Sequence, residues 1–294
     1  MEYNVFKNLI MEQLHSHFGT SKEITIKSFQ KNNGVEYEGI VILDKQMNIS
    51  PTIYLDYYFR EYQNGQSFDD VFLELLDDYE DHCPDTSVDV SFFTQFDHIK
   101  PKIVFKLIHQ EKNQRLLEDI PHIPYLDLAI VFYALYESMD LGTGRILIHN
   151  EHLERWGTTA LELLEIAKIN TPVLLPFEFK NIMDVLMDQS NSFFDFDQLG
   201  DIPLYVLTNR LRLFGASCML YPKLLAYIGQ TLDSDYYILP SSLHELIIIP
   251  AKDMSELREL SQMVDHINEN DVITEEVLSD HAYYYERETE EVLF

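Results

Sequence analysis

At 294 residues, 46% of them hydrophobic and 24% charged, the chain can bury a sizeable core and is too apolar to be intrinsically disordered. Its 50 acidic and 21 basic residues give a net charge of -29, a field that repels phosphate backbones and anionic lipid alike and argues against direct nucleic-acid or membrane-surface binding. Two cysteines, Cys83 and Cys218, far apart and outside any C-x-x-C pair, encode neither a disulfide framework nor a thiolate metal site.

The opening residues lack the basic start and apolar core of a secretory signal, and no window approaches the roughly 18 apolar residues of a membrane span. The expectation is a soluble protein of a reducing, cytoplasmic compartment.

In chain order, Asn4 to Phe18 place Val5, Leu9, Ile10 and Leu14 on one helical stripe, with Gly19 where a C-terminal cap belongs. Glu23 to Lys27 alternates, Asn33-Gly34 supplies a tight turn, and Val35 to Leu43 returns, which predicts a hairpin. Ser50-Pro51 reads as the start of a second helix carrying Tyr54, Tyr57, Tyr58 and Tyr62. The clearest helix runs from Ser67 to about Asp81, with Phe68, Val71, Phe72, Leu75, Leu76 and Tyr79 on its apolar face and Ser67 and Asp70 as a capping pair.

That helix lies in a stretch without Lys or Arg between Arg60 and Lys100, yet like-charge neighbours cost only about 0.2–0.5 kcal/mol each. Burying each large apolar side chain stabilises by about 1.5–3 kcal/mol, so the helix folds. The stretch also lacks the alternating oxygen ligands and central glycine of a calcium loop.

Further on, Ile103 to Phe105, Leu128 to Leu135 and Ile146 to Ile148 read as strands, the last after a Gly142-Thr143-Gly144 turn. Thr159 and Glu162 open a helix that Asn170-Thr171-Pro172 stops, and Phe179 to Asp188 reads as helical. Leu204 to Leu207 is a buried strand and Tyr221 to Gln230 a helix. Tyr236 to Leu239 and Leu246 to Ile249 are paired strands, and Asp253 with Glu256 caps a helix through Ile267. The stretches 125–170 and 203–231 share a strand, turn, strand, helix order that suggests a degenerate internal repeat.

Hairpins mixed with helices favour α+β, with largely antiparallel sheets and helices on one face, over a doubly wound parallel sheet. The charge shift places a boundary near residue 88. It would divide an acidic helix-hairpin-helix subdomain (1–88) from a main α+β domain (89–294).

Chemistry-bearing residues gather in Tyr236 to Glu245, where Ser241, Ser242, His244 and Glu245 put hydroxyls, an imidazole and a carboxylate on one turn. Working triads draw their members from separate elements, and neighbours along a strand face opposite ways, so Glu245 cannot orient His244; a distant acid such as Asp280 would be needed. The plainer reading is a Ser/His turn that satisfies backbone groups.

Other matches fail on their chemistry. His244-Glu245 has Ile248 where a zinc protease needs histidine, and His149 and His152 have no evident third ligand. Gly142-Thr143-Gly144 does not open a helix, and Gly215-Ala216-Ser217-Cys218-Met219 ends in methionine where a nucleophile elbow has glycine. Glu178-Phe179-Lys180 has no aspartate upstream, back to Asp140, to complete a nuclease metal site. No cofactor is indicated.

Pro124 to Ala129, Asn170-Thr171-Pro172, Val206 to Asn209, Ile238 to Glu245 and Leu278-Ser279-Asp280 through Tyr285 together resemble a domain-of-unknown-function family of Gram-positive gut bacteria. The Leu-Pro-Ser-Ser-x-His-Glu segment at 239–245 is the most specific part. The resemblance implies a cytoplasmic protein without an assigned activity, cofactor or substrate, and supplies no catalytic residues.

The sequence leans away from an enzyme and toward an interaction or regulatory protein, on its missing signatures, acidic surface and abundant tyrosine. Two alternatives stay open: a hydrolase using Ser242 and His244 with Asp280, and an acidic polyanion mimic whose partner is a basic protein. Asn209, Ser241, Glu245 and Tyr284 are the candidate binding residues.

Overall fold

The structure, a computed structural model, describes residues 1–44, 47, 50–83, 91–138, 142–188, 203–251 and 253–294. It is α+β with antiparallel sheets and divides into two compact units. Residues 1–31, 35–93 and 137–144 belong to the first unit, and 32–34, 94–136 and 145–294 to the second. The boundary expected near residue 88 lies outside the described residues.

The first unit contains α1 (Tyr3–Phe18), a sheet of β1 (Lys22–Gln30), β2 (Glu36–Asp44) and β3 (Thr52–Tyr54) in that order, α2 (Leu55–Gln63) and α3 (Phe68–His82). Phe6, Ile10 and Leu14 form the buried stripe of α1 and meet Ile40, Ile42, Leu55, Val71, Leu75 and Tyr79 in one core. The helix is rotated from the expected face: Val5 is 50% exposed, because Phe6 buries the larger apolar area. Asn33 and Gly34 take positive φ at the hairpin turn, as their residue types predict.

Ser50-Pro51 does not open a helix. Thr52-Ile53-Tyr54 instead runs along the β2 edge with Thr52 opposite Val41, the Ser50 hydroxyl donates to Ile42 O, and α2 begins only at Leu55. Gly39 permits this pairing, since a Cβ there would lie 2.5 Å from Thr52 Cγ2. The α3 helix follows its reading: Ser67 Oγ accepts from Asp70 N at 3.2 Å, and Val71, Leu75, Leu76 and Tyr79 are buried.

After α4 (Ser91–Thr94) come α5 (Phe96–Ile99), β4 (Ile103–His109), α6 (Gln114–Leu117), β5 (His122–Tyr125), β6 (Leu128–Ser138) and β7 (Gly142–Leu147), all of the second unit except residues 137–138 of β6 and 142–144 of β7. β6 pairs with the other three strands of this sheet. Gly142-Thr143-Gly144 is thus strand rather than turn. Every residue of β4 is buried.

Then come α7 (Asn150–Trp156) and α8 (Ala160–Leu174), the latter opened by a Thr159/Glu162 capping box as expected. Pro172 does not stop α8, because the residues before it serve β4: Thr171 Oγ1 accepts from Phe105 N at 3.2 Å, and Asn170 Nδ2 donates to the carbonyls of Lys100 and Ile103. The backbone edge of β4 is thereby satisfied by a helix lying across it.

The remaining elements are β8 (Phe177–Asn181), α9 (Ile182–Asp188), β9 (Tyr205–Asn209), α10 (Leu224–Leu232), β10 (Asp235–Pro240), β11 (Leu246–Ala251), α11 (Leu257–Asn270), β12 (Tyr283–Glu286) and β13 (Glu291–Leu293). Their strands form an antiparallel sheet ordered β13-β12-β10-β11-β9-β8. Of the helix expected over Phe179 to Asp188, residues 182–188 are helical, while 179–181 belong to β8, where Phe179 pairs with Leu207 and stacks on Tyr205. The repeat is absent at 203–231, where β9 alone precedes a 3-10 turn and α10. Asp253 does not cap α11; its carboxylate accepts from Ser255 N, and Glu256 stands at the N-cap without a side-chain bond.

The tyrosines of β10 and β12 are core residues, not contact surface. Tyr236 lies opposite Tyr285 and Tyr237 opposite Tyr284, and all four, with Tyr283, are buried. Period-two alternation sends Tyr237, Leu239 and Tyr284 into a cluster with Val264 of α11, while Tyr236 reaches the Leu225 carbonyl of α10.

Candidate functional site

The Ser242–His244 turn joins β10 to β11 and is held both by its own backbone and by the facing 208–214 segment, with His244 Nε2 3.9 Å from Glu276 Oε1. Ser242 Oγ accepts from His244 N at 3.0 Å, and the His244 carbonyl accepts from Thr208 Oγ1 at 2.6 Å. His244 Nδ1 lies 3.0 Å from Arg212 O and 3.3 Å from Phe214 N, and its ring stacks on Phe214. Gly215 is required beneath this turn, since a Cβ would sit 2.2 Å from His244 O.

Asn209 is fully buried and organises the adjoining loop: Oδ1 accepts from the N–H groups of Leu211 and Leu213, and Nδ2 donates to Leu213 O. Glu245 lies with Glu178, Lys180 and Arg212 around a small hollow, and Ser241 is half-buried. Tyr284, at 3% exposure, donates to Asp235 Oδ2. Burial pushes the Cys218 thiol up to about 12, so it stays protonated and inert. His149 and His152 serve the start of α7, His149 N donating to His152 Nδ1.

Asp280 belongs elsewhere, to a recess of about 440 Å³ whose lining includes His109, Glu111, Gln114, Asp127, Asp280 and His281. His109 ends β4, and Asp127 follows Leu126, whose positive φ makes the sharp turn between β5 and β6. The segment before β12 supplies Ser279 and Asp280. The proposed Ser242–His244–Asp280 grouping is therefore divided between two places, because each member is held by partners of its own.

Within the recess, Lys112 Nζ donates to Asp280 Oδ1 at 2.7 Å, and Asn268 Nδ2 reaches the same oxygen at 3.3 Å. Burial alone would raise the Asp280 pKa, but the Lys112 bond and charge, with His109 and Asn268, outweigh it and hold the carboxyl below its usual range. His109 Nε2 lies 3.4 Å from Asp280 Oδ2, and Nδ1 accepts from Lys112 N at 3.3 Å, which assigns the proton to Nε2. Burial, reinforced by the Lys112 charge, lowers the His109 pKa despite the opposing pull of Asp280 and Asp127.

Asp127 accepts from two buried hydroxyls, Ser279 Oγ on Oδ2 and Tyr283 OH on Oδ1, each at 2.6 Å. Burial first, and Asp127 next, raise the Tyr283 pKa well above the phenol range. Both carboxylates and both His109 nitrogens are thus committed to neighbours. The recess offers negative charge and hydrogen-bond acceptors, with the exposed His281 imidazole also on its lining.

Sequence reasoning did not single out His109, Lys112 or Tyr283 as site residues. Asp127, Ser279 and Asp280 did stand in the segments that carried the family resemblance, and that was the available signal.

These features define the class: a two-unit α+β protein with antiparallel sheets and an acid-rimmed polar recess. The chain belongs to the family of unknown function DUF5688, whose profile matches residues 3–287. No curated protein and no solved structure matches it. Among the described residues no helix is long and apolar enough to cross a membrane.

Proposed function

We propose that this protein is a non-enzymatic interaction protein that receives a basic segment of another protein. The observation that carries the reading is the recess: Glu111, Asp127 and Asp280 all line it, three carboxylates against the one Lys112 ammonium that bonds Asp280, and the Ser279 and Tyr283 hydroxyls and the His109 imidazole beside them are already bonded. A net charge of -29 adds long-range attraction for cations and steers their encounter. The two free cysteines fit a reducing, cytoplasmic setting.

The test is titration of the full chain with a fluorescein-labelled peptide of alternating glycine and arginine, read by anisotropy. Binding that weakens as salt rises is expected, and Glu111→Gln with Asp280→Asn should weaken it about threefold to tenfold. Failure to bind at low salt would overturn the reading. So would fluorophosphonate labelling of Ser242 together with ester turnover lost in His244→Ala.

A further inference from the structure

A second concavity, within the first unit, has a different character. It measures about 330 Å³ and is lined by Tyr54, Tyr57 and Tyr58, with Asp78 and His82 from α3 and Pro51 to Ile53 of the β3 segment. Tyr54 ends β3, and Tyr57 and Tyr58 stand on the first turns of α2.

Two of these rings are fixed by acids on α3. Tyr58, 4% exposed, donates its hydroxyl to Asp78, which anchors that carboxylate in the groove wall. Tyr57, 48% exposed, donates to Glu74 Oε1 at 3.0 Å and packs edge-on to Tyr58 at 5.1 Å. Gln66 holds the other Glu74 oxygen at 3.0 Å. Three carboxylates, Glu61, Glu74 and Asp78, act on the Tyr57 phenol and, after the Glu74 bond itself, raise its pKa.

Rings held in this way present negative π-faces beside fixed anions, the arrangement that attracts a guanidinium or ammonium group. The chain already uses a ring of the groove so: Lys31 Nζ sits 4.3 Å from the Tyr54 centroid. The 61–99 stretch, which supplies Glu74 and Asp78, contains no Lys or Arg.

We propose that this groove seats an arginine or lysine side chain of the basic partner, flanked by tyrosine rings and neutralised by Asp78 and Glu74. The assignment rests on the basic-partner reading and gives it a defined side-chain pocket in the first unit, in addition to the recess in the second. Tyr57 is the contact to test because it is half exposed and supports no core packing of its own.

The experiment uses the full chain and the labelled glycine-arginine peptide. Tyr57→Ala should weaken binding about threefold to tenfold, and Tyr57→Phe, which keeps the ring, should bind within about twofold of the unaltered chain. An equally long glycine-glutamate peptide should not bind. If Tyr57→Ala binds as the unaltered chain does while Glu111→Gln is weakened, the groove is overturned and the recess stands. The reverse pattern keeps the groove and removes the recess, and a chain that binds no arginine peptide removes both.

Discussion

The Ser242 turn and the His109 recess contain nearly the same inventory of serine, histidine and carboxylate, yet they do different things with it. In the turn, Ser242 bonds His244 N two residues away, and the His244 imidazole meets the backbone of Arg212 and Phe214. In the recess, Ser279 and Asp127 meet across 152 residues of sequence, and Lys112 meets Asp280 across 168. The polar side chains of the turn are taken up by backbone groups, Ser242 within the turn and His244 on the facing 212–214 segment, whereas the groups of the recess enclose space between them.

The largest effect expected from this contrast is at Asp127. Replacing it by alanine leaves the Tyr283 hydroxyl without its acceptor and the Ser279 hydroxyl with only the His281 carbonyl at 3.5 Å, both on fully buried residues, and each loss should cost about 1–3 kcal/mol. Urea denaturation should therefore show Asp127→Ala less stable by about 3 kcal/mol. A loss below about 1 kcal/mol would mean that the network is incidental and the contrast mistaken.

Ser242→Ala removes one hydrogen bond at a surface turn and should cost about 1 kcal/mol or less. Its affinity for the arginine peptide should equal that of the unaltered chain. Weakened binding would move the functional weight back to the turn.

The smallest effect is a pH dependence. The folded pKa of His109 lies below 6.5, so on acidification the unfolded chain takes up the proton first and stability falls as the pH drops from 6.5 toward the folded value. The groups that face His109 are Lys112, Asp280 and Asp127. Of these, Asp280 contributes stability that is fully present above 3.8 and is lost as the pH falls from there through its lower folded value. His109→Gln should flatten the upper window in denaturation midpoints measured across it. An unchanged slope would show that His109 is not held neutral by the recess.

The family-bearing segments lead to the recess by a different route from the one their residue types suggested. Leu-Pro-Ser-Ser-x-His-Glu gathers a nucleophile, a base and an acid by residue type, and its side chains serve backbone groups at a strand junction, as the plainer reading of the turn has it. Pro124 to Ala129 and Leu278 to Tyr285, of which the sequence singled out only Asp280 and Tyr284, supply Asp127, Ser279, Asp280 and Tyr283.

What the sequence determined by itself was local. The 3.6-residue spacing of Val71, Leu75 and Tyr79 with the Ser67 cap defined α3, Asn33-Gly34 defined the hairpin, and Thr159/Glu162 defined the start of α8. Each signal acts within a turn or two of chain, where geometry follows directly from residue type. Pairing decided the rest. Thr52 to Tyr54 and Phe177 to Asn181 became strands because β2 and β9 offered an edge, α8 ran through Pro172 because β4 needed Asn170 and Thr171, and the tyrosines of β10 and β12 were buried against one another. The recess belongs wholly to this second kind, since no spacing brings His109, Asp127 and Asp280 together; only the closing of β6 on β4 and β5, and the return of the chain before β12, could do so.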